Sequence, residues 1–153
     1  CYVGLNNFSL AASFNAHVLI PSLLTTVVLW ANYPMTQVYQ HEEDLKRGDQ
    51  TLSVKLGIRG TFYFTALVFM VATVQFIFYF IEFHQLKYAI TFLLALTPVL
   101  SFFLFWFLKV RKDESFASYG YAMALNFISA TCLNAFFIYL FLDSSQVLQV
   151  LLR

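Results

Sequence analysis

The chain is poor in charged residues. Asp, Glu, Lys and Arg make up 11% of its 153 residues, whereas 60% are hydrophobic; soluble domains carry about 25% charged residues. A soluble domain of this length has too little interior to bury so many apolar side chains. The composition therefore excludes an ordinary soluble domain and favours an integral membrane protein. The few basic residues form no patch suited to nucleic acid, so no nucleic-acid partner is expected.

Cysteine and the common catalytic groupings are also scarce. There are two cysteines, and Cys132 lies within an apolar run, which argues against a disulfide framework. No Ser-His-Asp arrangement, Cys/His metal cluster or glycine-rich phosphate loop occurs in the sequence. These absences direct attention to residues 39–51, the one short segment in which charge is concentrated, which we call the charged segment.

Four apolar stretches have the length of about 20 residues that a membrane-spanning helix requires. They cover residues 14–33, 61–81, 88–108 and 119–142. The link over residues 83–87 is very short and predicts a tight antiparallel hairpin of the second and third spans. We therefore predict an all-α integral membrane bundle with four transmembrane helices, in contact with the lipid bilayer.

The basic residues orient these spans. Seven of the nine follow the first and third spans: Lys46, Arg47, Lys55, Arg59, Lys109, Arg111 and Lys112. The opposite side has only Lys87 and Arg153. Basic loops stay in the cytoplasm, so we predict a multi-pass protein whose residues 37–60 form a cytoplasmic loop. The expected location is a bacterial cytoplasmic membrane.

That predicted loop contains four of the eight acidic residues: Glu42, Glu43, Asp44 and Asp49. In a helical projection, one face carries Gln37, Gln40, His41 and Asp44, and Gly48 is a plausible helix stop. Carboxylate and amide oxygens suit Mg²⁺, which predicts metal ligands at Asp44, Gln40 and Glu43. Basic side chains nearby can contact phosphate, namely Lys46, Arg47 and Lys55. This pattern fits a lipid with a diphosphate head; the alternative is a solvated loop without chemistry.

The amino-acid sequence of the loop resembles a known motif. The second aspartate-rich motif of the UbiA family of membrane prenyltransferases has the form D-x-x-x-D, then a glycine, then T-L-x-V-x-x-G. Asp44 corresponds to its second aspartate, and the other matching positions are Gly48, Thr51, Leu52, Val54 and Gly57. Gln40 stands where the family has the first aspartate, so this ligand contributes an amide oxygen and no charge; Glu43 can compensate.

The resemblance implies a fold and an activity. The family has nine transmembrane helices, and one span before the motif with three after it matches helices six to nine. The missing N-terminal helices would carry the first aspartate-rich motif. The implied reaction is Mg²⁺-dependent transfer of a prenyl chain from an isoprenoid diphosphate to an acceptor, with the present fragment inactive alone. The alternative of a different class is a non-catalytic transporter or structural bundle.

Overall fold

The computed structural model describes residues 16–145, and this part of the chain is all-helical, without a β-strand. It contains five α-helices: α1 (Ala16–Gln37), α2 (His41–Arg47), α3 (Leu52–Phe83), α4 (Leu86–Lys112) and α5 (Tyr119–Ser144). Two 3₁₀ turns complete it, Val38–Gln40 between α1 and α2, and Glu114–Phe116 between α4 and α5. The predicted all-α class is confirmed.

Three of the helices, α3, α4 and α5, are long and apolar enough to cross a membrane. Under a third of the most apolar stretch of each is buried in the bundle, so most of that stretch is at least partly exposed. These helices support the prediction of a multi-pass membrane protein. The first predicted span corresponds to α1, whose crossing of the membrane stays a prediction. Residues 14 and 15 of that span, and Arg153, lie outside the described residues.

The helices extend beyond the apolar runs that predicted them. The helix α3 begins at Leu52 rather than at residue 61, and α4 ends at Lys112 rather than at residue 108. A helix ends where its last turn is capped, and the capping residues lie outside the apolar stretch. The predicted cytoplasmic loop 37–60 therefore contains helix on both sides of residues 48–51, and the helical residues before Gly48 agree with the helical face and the helix stop predicted for this segment.

Two clusters of buried side chains hold the long helices together. The cluster nearer the charged segment consists of Met35, Val38, Phe62, Val99, Phe103, Trp106, Val110, Ala122 and Leu125. The cluster nearer the other end consists of Leu24, Phe76, Phe80, Tyr88, Ala89, Phe92, Leu96 and Phe136. Each cluster includes side chains from all four long helices, so it is the aromatic and aliphatic packing at both ends that fixes the bundle.

A salt bridge connects the two basic segments at one end of the bundle. Arg59 Nε, near the start of α3, lies 2.9 Å from Glu114 Oε1 in the turn after α4. In the same turn, the Ser115 backbone N–H donates to Asp113 Oδ1 at 2.9 Å, and this bond lowers the pKa of the Asp113 carboxyl. The basic residues that follow the first and third predicted spans therefore lie at the same end.

The opposite end contains the hairpin between α3 and α4. Only His84 and Gln85 separate these helices, as the short link in the sequence predicts. Beside the hairpin, Lys87 Nζ and the Tyr88 hydroxyl both donate to Asp143 Oδ2, near the end of α5. A second polar contact thus joins α4 to α5 at the end remote from the charged segment.

Candidate functional site

The charged segment begins where α1 gives way to a tighter turn. The 3₁₀ turn Val38–Gln40 has three residues per turn instead of 3.6, so it rotates the residues that follow relative to a continuous α-helix. Gln40, at the end of this turn, is exposed, whereas Asp44 of α2 is buried with 6% of its surface accessible. The single face predicted for Gln37, Gln40, His41 and Asp44 is therefore divided.

The helix α2 stops at Gly48, as its sequence predicts. Gly48 is left-handed, with φ of 77° and ψ of 16°. Its N–H donates to the Leu45 carbonyl at 3.2 Å, and the Asp49 N–H donates to the Asp44 carbonyl at 2.9 Å. This pair of bonds is a Schellman motif, which satisfies the last carbonyls of a helix and reverses the chain. The chain then passes back over Asp44.

Thr51 completes this reversal. It is the N-cap of α3, and its Oγ1 accepts a hydrogen bond from the Val54 backbone N–H at 3.3 Å. The same hydroxyl donates to Asp44 Oδ2 at 3.1 Å. The turn after α2 thus bonds to the backbone carbonyl of Asp44, and the cap of α3 bonds to its carboxylate.

The buried carboxylate of Asp44 has no cationic partner in the part of the chain that the structure describes. The ion pairs found there join Arg47 to Glu43, Arg59 to Glu114, and Lys87 to Asp143. A buried charge is strongly unfavourable unless it is paired or bound to a metal. The Asp44 carboxylate thus accepts one hydrogen bond, from Thr51, and has no ion-pair partner among the described residues.

The other predicted site residues are exposed. The Glu43 side chain is 65% exposed and accepts a hydrogen bond from Arg47 at 3.3 Å. The remaining predicted ligands and phosphate contacts also face outward: Gln40, Lys46 and Lys55. Among the described residues, no three His, Cys, Asp or Glu side chains come together as a metal site. Asp44 is thus the only buried member of the predicted set, and further ligands for a metal would have to come from elsewhere.

Two contacts at the site were not predicted. His41 Nδ1 lies 3.3 Å from Ser53 Oγ, which joins α2 to the first turn of α3, and Ser53 is fully buried. The Tyr39 ring meets Tyr119 of α5 edge to face, with centroids 5.2 Å apart. The position of Ser53, two residues after the N-cap threonine, is only a weak sequence signal for its contact with His41. The contact between Tyr39 and Tyr119 was not predictable, because the two residues are distant in sequence.

The backbone of α3 is interrupted at Gly57. Its φ of 71° and ψ of 166° are non-helical, and this region is essentially restricted to glycine. The Thr61 hydroxyl donates to the Gly57 carbonyl at 2.8 Å, so the carbonyl at the break keeps a partner. The turn 52–56, which includes Lys55, is consequently offset from the long apolar part of α3.

An apolar groove of about 300 Å³ opens further along the bundle. Its lining comes from α3, α4 and α5: Ala66, Phe69, Met70, Thr73, Val74, Val99, Leu100, Phe103, Leu104 and Leu125. None of the predicted metal or phosphate residues contributes to it. The charged segment and the groove are therefore separate features of the described chain.

Comparisons with known proteins give no relative for this chain. No protein-family model, curated protein or solved structure matches it. The residues themselves must therefore support any assignment of function.

Proposed function

We propose that this chain is part of a Mg²⁺-dependent membrane prenyltransferase similar to the UbiA family. One observation supports the proposal most directly. Asp44 is buried at the end of a helical bundle with membrane-spanning helices, held by hydrogen bonds, and has no cation beside it in the described residues. A metal ion is the partner that such a carboxylate lacks.

The donor atoms agree with Mg²⁺. An Asp44 carboxylate oxygen is a hard ligand of the type that Mg²⁺ prefers, whereas the other two predicted ligands, Gln40 and Glu43, are exposed. Mg²⁺ usually binds through one or two carboxylates together with substrate phosphate oxygens. One buried carboxylate with a diphosphate therefore agrees with the number of protein ligands that this cation takes.

In the proposed reaction, the allylic C–O bond of an isoprenoid diphosphate breaks, and its electron pair stays with the diphosphate. The allylic carbon bonds to the acceptor, which then loses a proton. Bound Mg²⁺ would stabilise the negative charge of the leaving group. Lys46, Arg47 and Lys55 are exposed at the same end of the bundle, so their side chains are accessible to diphosphate oxygens and would add to this stabilisation.

The proposal includes further helices of the same protein. An N-terminal part with the first aspartate-rich motif would supply the carboxylates that the described residues do not bring to Asp44. The complete protein would then lie in a bacterial cytoplasmic membrane, with the motif on the cytoplasmic side. The 153-residue chain alone should not turn over an allylic diphosphate.

The alternative is a non-catalytic membrane protein with a solvated charged loop. The exposure of Glu43 and Arg47, and their pairing with each other, favours this alternative because such pairs are common on protein surfaces and contribute little. Binding of a metal at Asp44 distinguishes the two functions.

The test is a titration of Mn²⁺, a paramagnetic substitute for Mg²⁺, into the full-length protein in lipid nanodiscs. The electron paramagnetic resonance signal of free Mn²⁺ reports binding. Asp44→Asn keeps the shape of the side chain and removes its charge, so we expect Mn²⁺ affinity to fall at least about tenfold, since a lost ligand or its support typically costs that much.

Glu42→Gln is the matched control. Glu42 is an exposed carboxylate on the same helix, so its neutralisation should leave Mn²⁺ affinity close to that of the wild type. Equal effects of the two substitutions, or no effect of Asp44→Asn, would refute a metal site at Asp44. Either result would favour the alternative, in which the charged segment is a solvated loop without chemistry.

A further inference from the structure

We infer that Thr51 is a positioning residue that orients the Asp44 carboxylate for a metal ion, an inference that rests on the function proposed above. Thr51 lies seven residues after Asp44, in the first position before α3. Its hydroxyl is the only described side chain that hydrogen-bonds to the Asp44 carboxylate.

The direction of this hydrogen bond is fixed by its surroundings. The Thr51 oxygen accepts from the Val54 backbone N–H at 3.3 Å, which occupies one lone pair. The single hydroxyl hydrogen is thereby free to point to Asp44 Oδ2, 3.1 Å away. An ionised carboxylate only accepts hydrogen bonds, so Thr51 is the donor.

Asp44 is consequently held at two points. Its backbone carbonyl accepts from the Asp49 N–H at 2.9 Å, and its Oδ2 accepts from Thr51. Within the described residues, no hydrogen bond reaches the other carboxylate oxygen, Oδ1. A carboxylate with one oxygen occupied and the other open is oriented for a ligand at the open oxygen, as supporting hydrogen bonds orient ligands in metal sites generally.

Thr51 also has a structural role, because it caps α3. The two roles make different predictions. A cap affects the stability of α3 whatever the state of Asp44, whereas a positioning residue affects metal binding only when Asp44 can bind the metal. Substitutions that separate the capping of α3 from the hydrogen bond donated to Asp44 therefore decide between the two roles.

The experiment repeats the Mn²⁺ titration on three Thr51 variants in the full-length protein, with thermal unfolding measured in parallel. Thr51→Val removes the donor and the cap, and we expect Mn²⁺ affinity to fall by about 10- to 100-fold, the usual effect of losing such a supporting group. Thr51→Ser keeps the hydroxyl and should restore binding. Thr51→Gly remains acceptable at an N-cap but has no donor, so binding should fall while the unfolding temperature stays near that of the wild type.

A double-mutant cycle completes the test. In the Asp44→Asn background, Thr51→Val should cause no further loss of Mn²⁺ affinity, because coupled residues are non-additive. An unchanged affinity in Thr51→Val, or losses that add in the double mutant, would overturn the inference and leave the function proposed for Asp44 intact. If Asp44→Asn binds Mn²⁺ like the wild type, or the wild type does not bind it, the proposed function fails and the inference fails with it.

Discussion

Two glycines, Gly48 after α2 and Gly57 in α3, have backbone conformations that other residues tolerate to different degrees. Gly48 is in the left-handed helical region, where asparagine is also tolerated. Gly57, with φ of 71° and ψ of 166°, lies in a region that is essentially closed to residues with a Cβ atom. Space is not the constraint at either position, since a Cβ atom would have no neighbour within 4 Å. The constraint is the backbone itself.

Gly57→Ala should therefore destabilise the protein by about 1–3 kcal/mol, the usual cost of a residue held in a sparsely populated backbone conformation. The measurement is unfolding by sodium dodecyl sulfate in mixed micelles, followed by circular dichroism. Gly120→Ala is the control: Gly120 lies in α5, and its Cβ atom would also meet open space. Alanine is favoured over glycine in a helix by up to about 1 kcal/mol, so this variant should be neutral or more stable. A Gly57→Ala protein as stable as Gly120→Ala would contradict the assigned backbone strain.

The same residues show how far sequence reasoning reaches. The stop at Gly48 was predictable, because a glycine after a short polar helix has a common local structure. The break at Gly57 was not, because a glycine within a helical pattern is usually tolerated. The burial of Asp44 was also not predictable, since it depends on the chain folding back so that Thr51 reaches the carboxylate.

At the scale of elements, aromatic packing determines how α3 and α4 meet. Phe62 of α3 is completely buried and contacts Trp106 at a centroid distance of 4.8 Å and Phe107 at 5.3 Å. Trp106 in turn donates its indole N–H to the Phe116 carbonyl at 2.8 Å. The turn after α4 is thus tied to the same aromatic cluster that holds α3.

Phe62→Ala should cost about 3–5 kcal/mol, because a buried ring is removed and a cavity remains. Unfolding in mixed micelles by increasing sodium dodecyl sulfate measures this loss. Phe78→Ala on the same helix is the matched control, since Phe78 is 68% exposed, and it should change stability by only about 0.5 kcal/mol. Similar losses for the two variants would show that Phe62 does not form the contact between these helices.

The helices themselves were more predictable than their ends. Long apolar runs identified α3, α4 and α5, because the length needed to cross a bilayer leaves a strong signal in the sequence. Their ends depend on single hydrogen bonds, such as the one from the Val54 N–H to Thr51. Hydropathy does not report such bonds, and for this reason the start of α3 at Leu52, ahead of the predicted span 61–81, was not predictable.

At the scale of the whole molecule, the basic residues that the structure describes divide between the two ends as the sequence predicts. The bridge between Arg59 and Glu114 joins the start of α3 to the turn after α4, and Lys87 contacts Asp143 at the far end. Among the described residues, basic side chains are thus concentrated at one end, which is the asymmetry that orients membrane proteins.

Single-cysteine labelling in intact cells should reflect this asymmetry. In a protein whose native cysteines are replaced by serine, cysteines at positions 46 and 112 should resist a membrane-impermeant maleimide until the cells are opened. A cysteine at position 143 should react from outside, because the end with fewer basic residues is translocated. Reaction of positions 46 and 143 from the same side would contradict the predicted orientation of the helices.

The contact between Lys87 and Asp143 also has a consequence for biosynthesis. The two residues are 56 positions apart, and at about 5–20 residues per second the ribosome needs roughly 3–11 s to make the intervening chain. During this interval, α3 and α4 can already form their hairpin, because their connection is local. The ammonium group of Lys87 cannot pair with Asp143 until the end of α5 has been made. This contact therefore forms later in synthesis than the local contacts of the hairpin can.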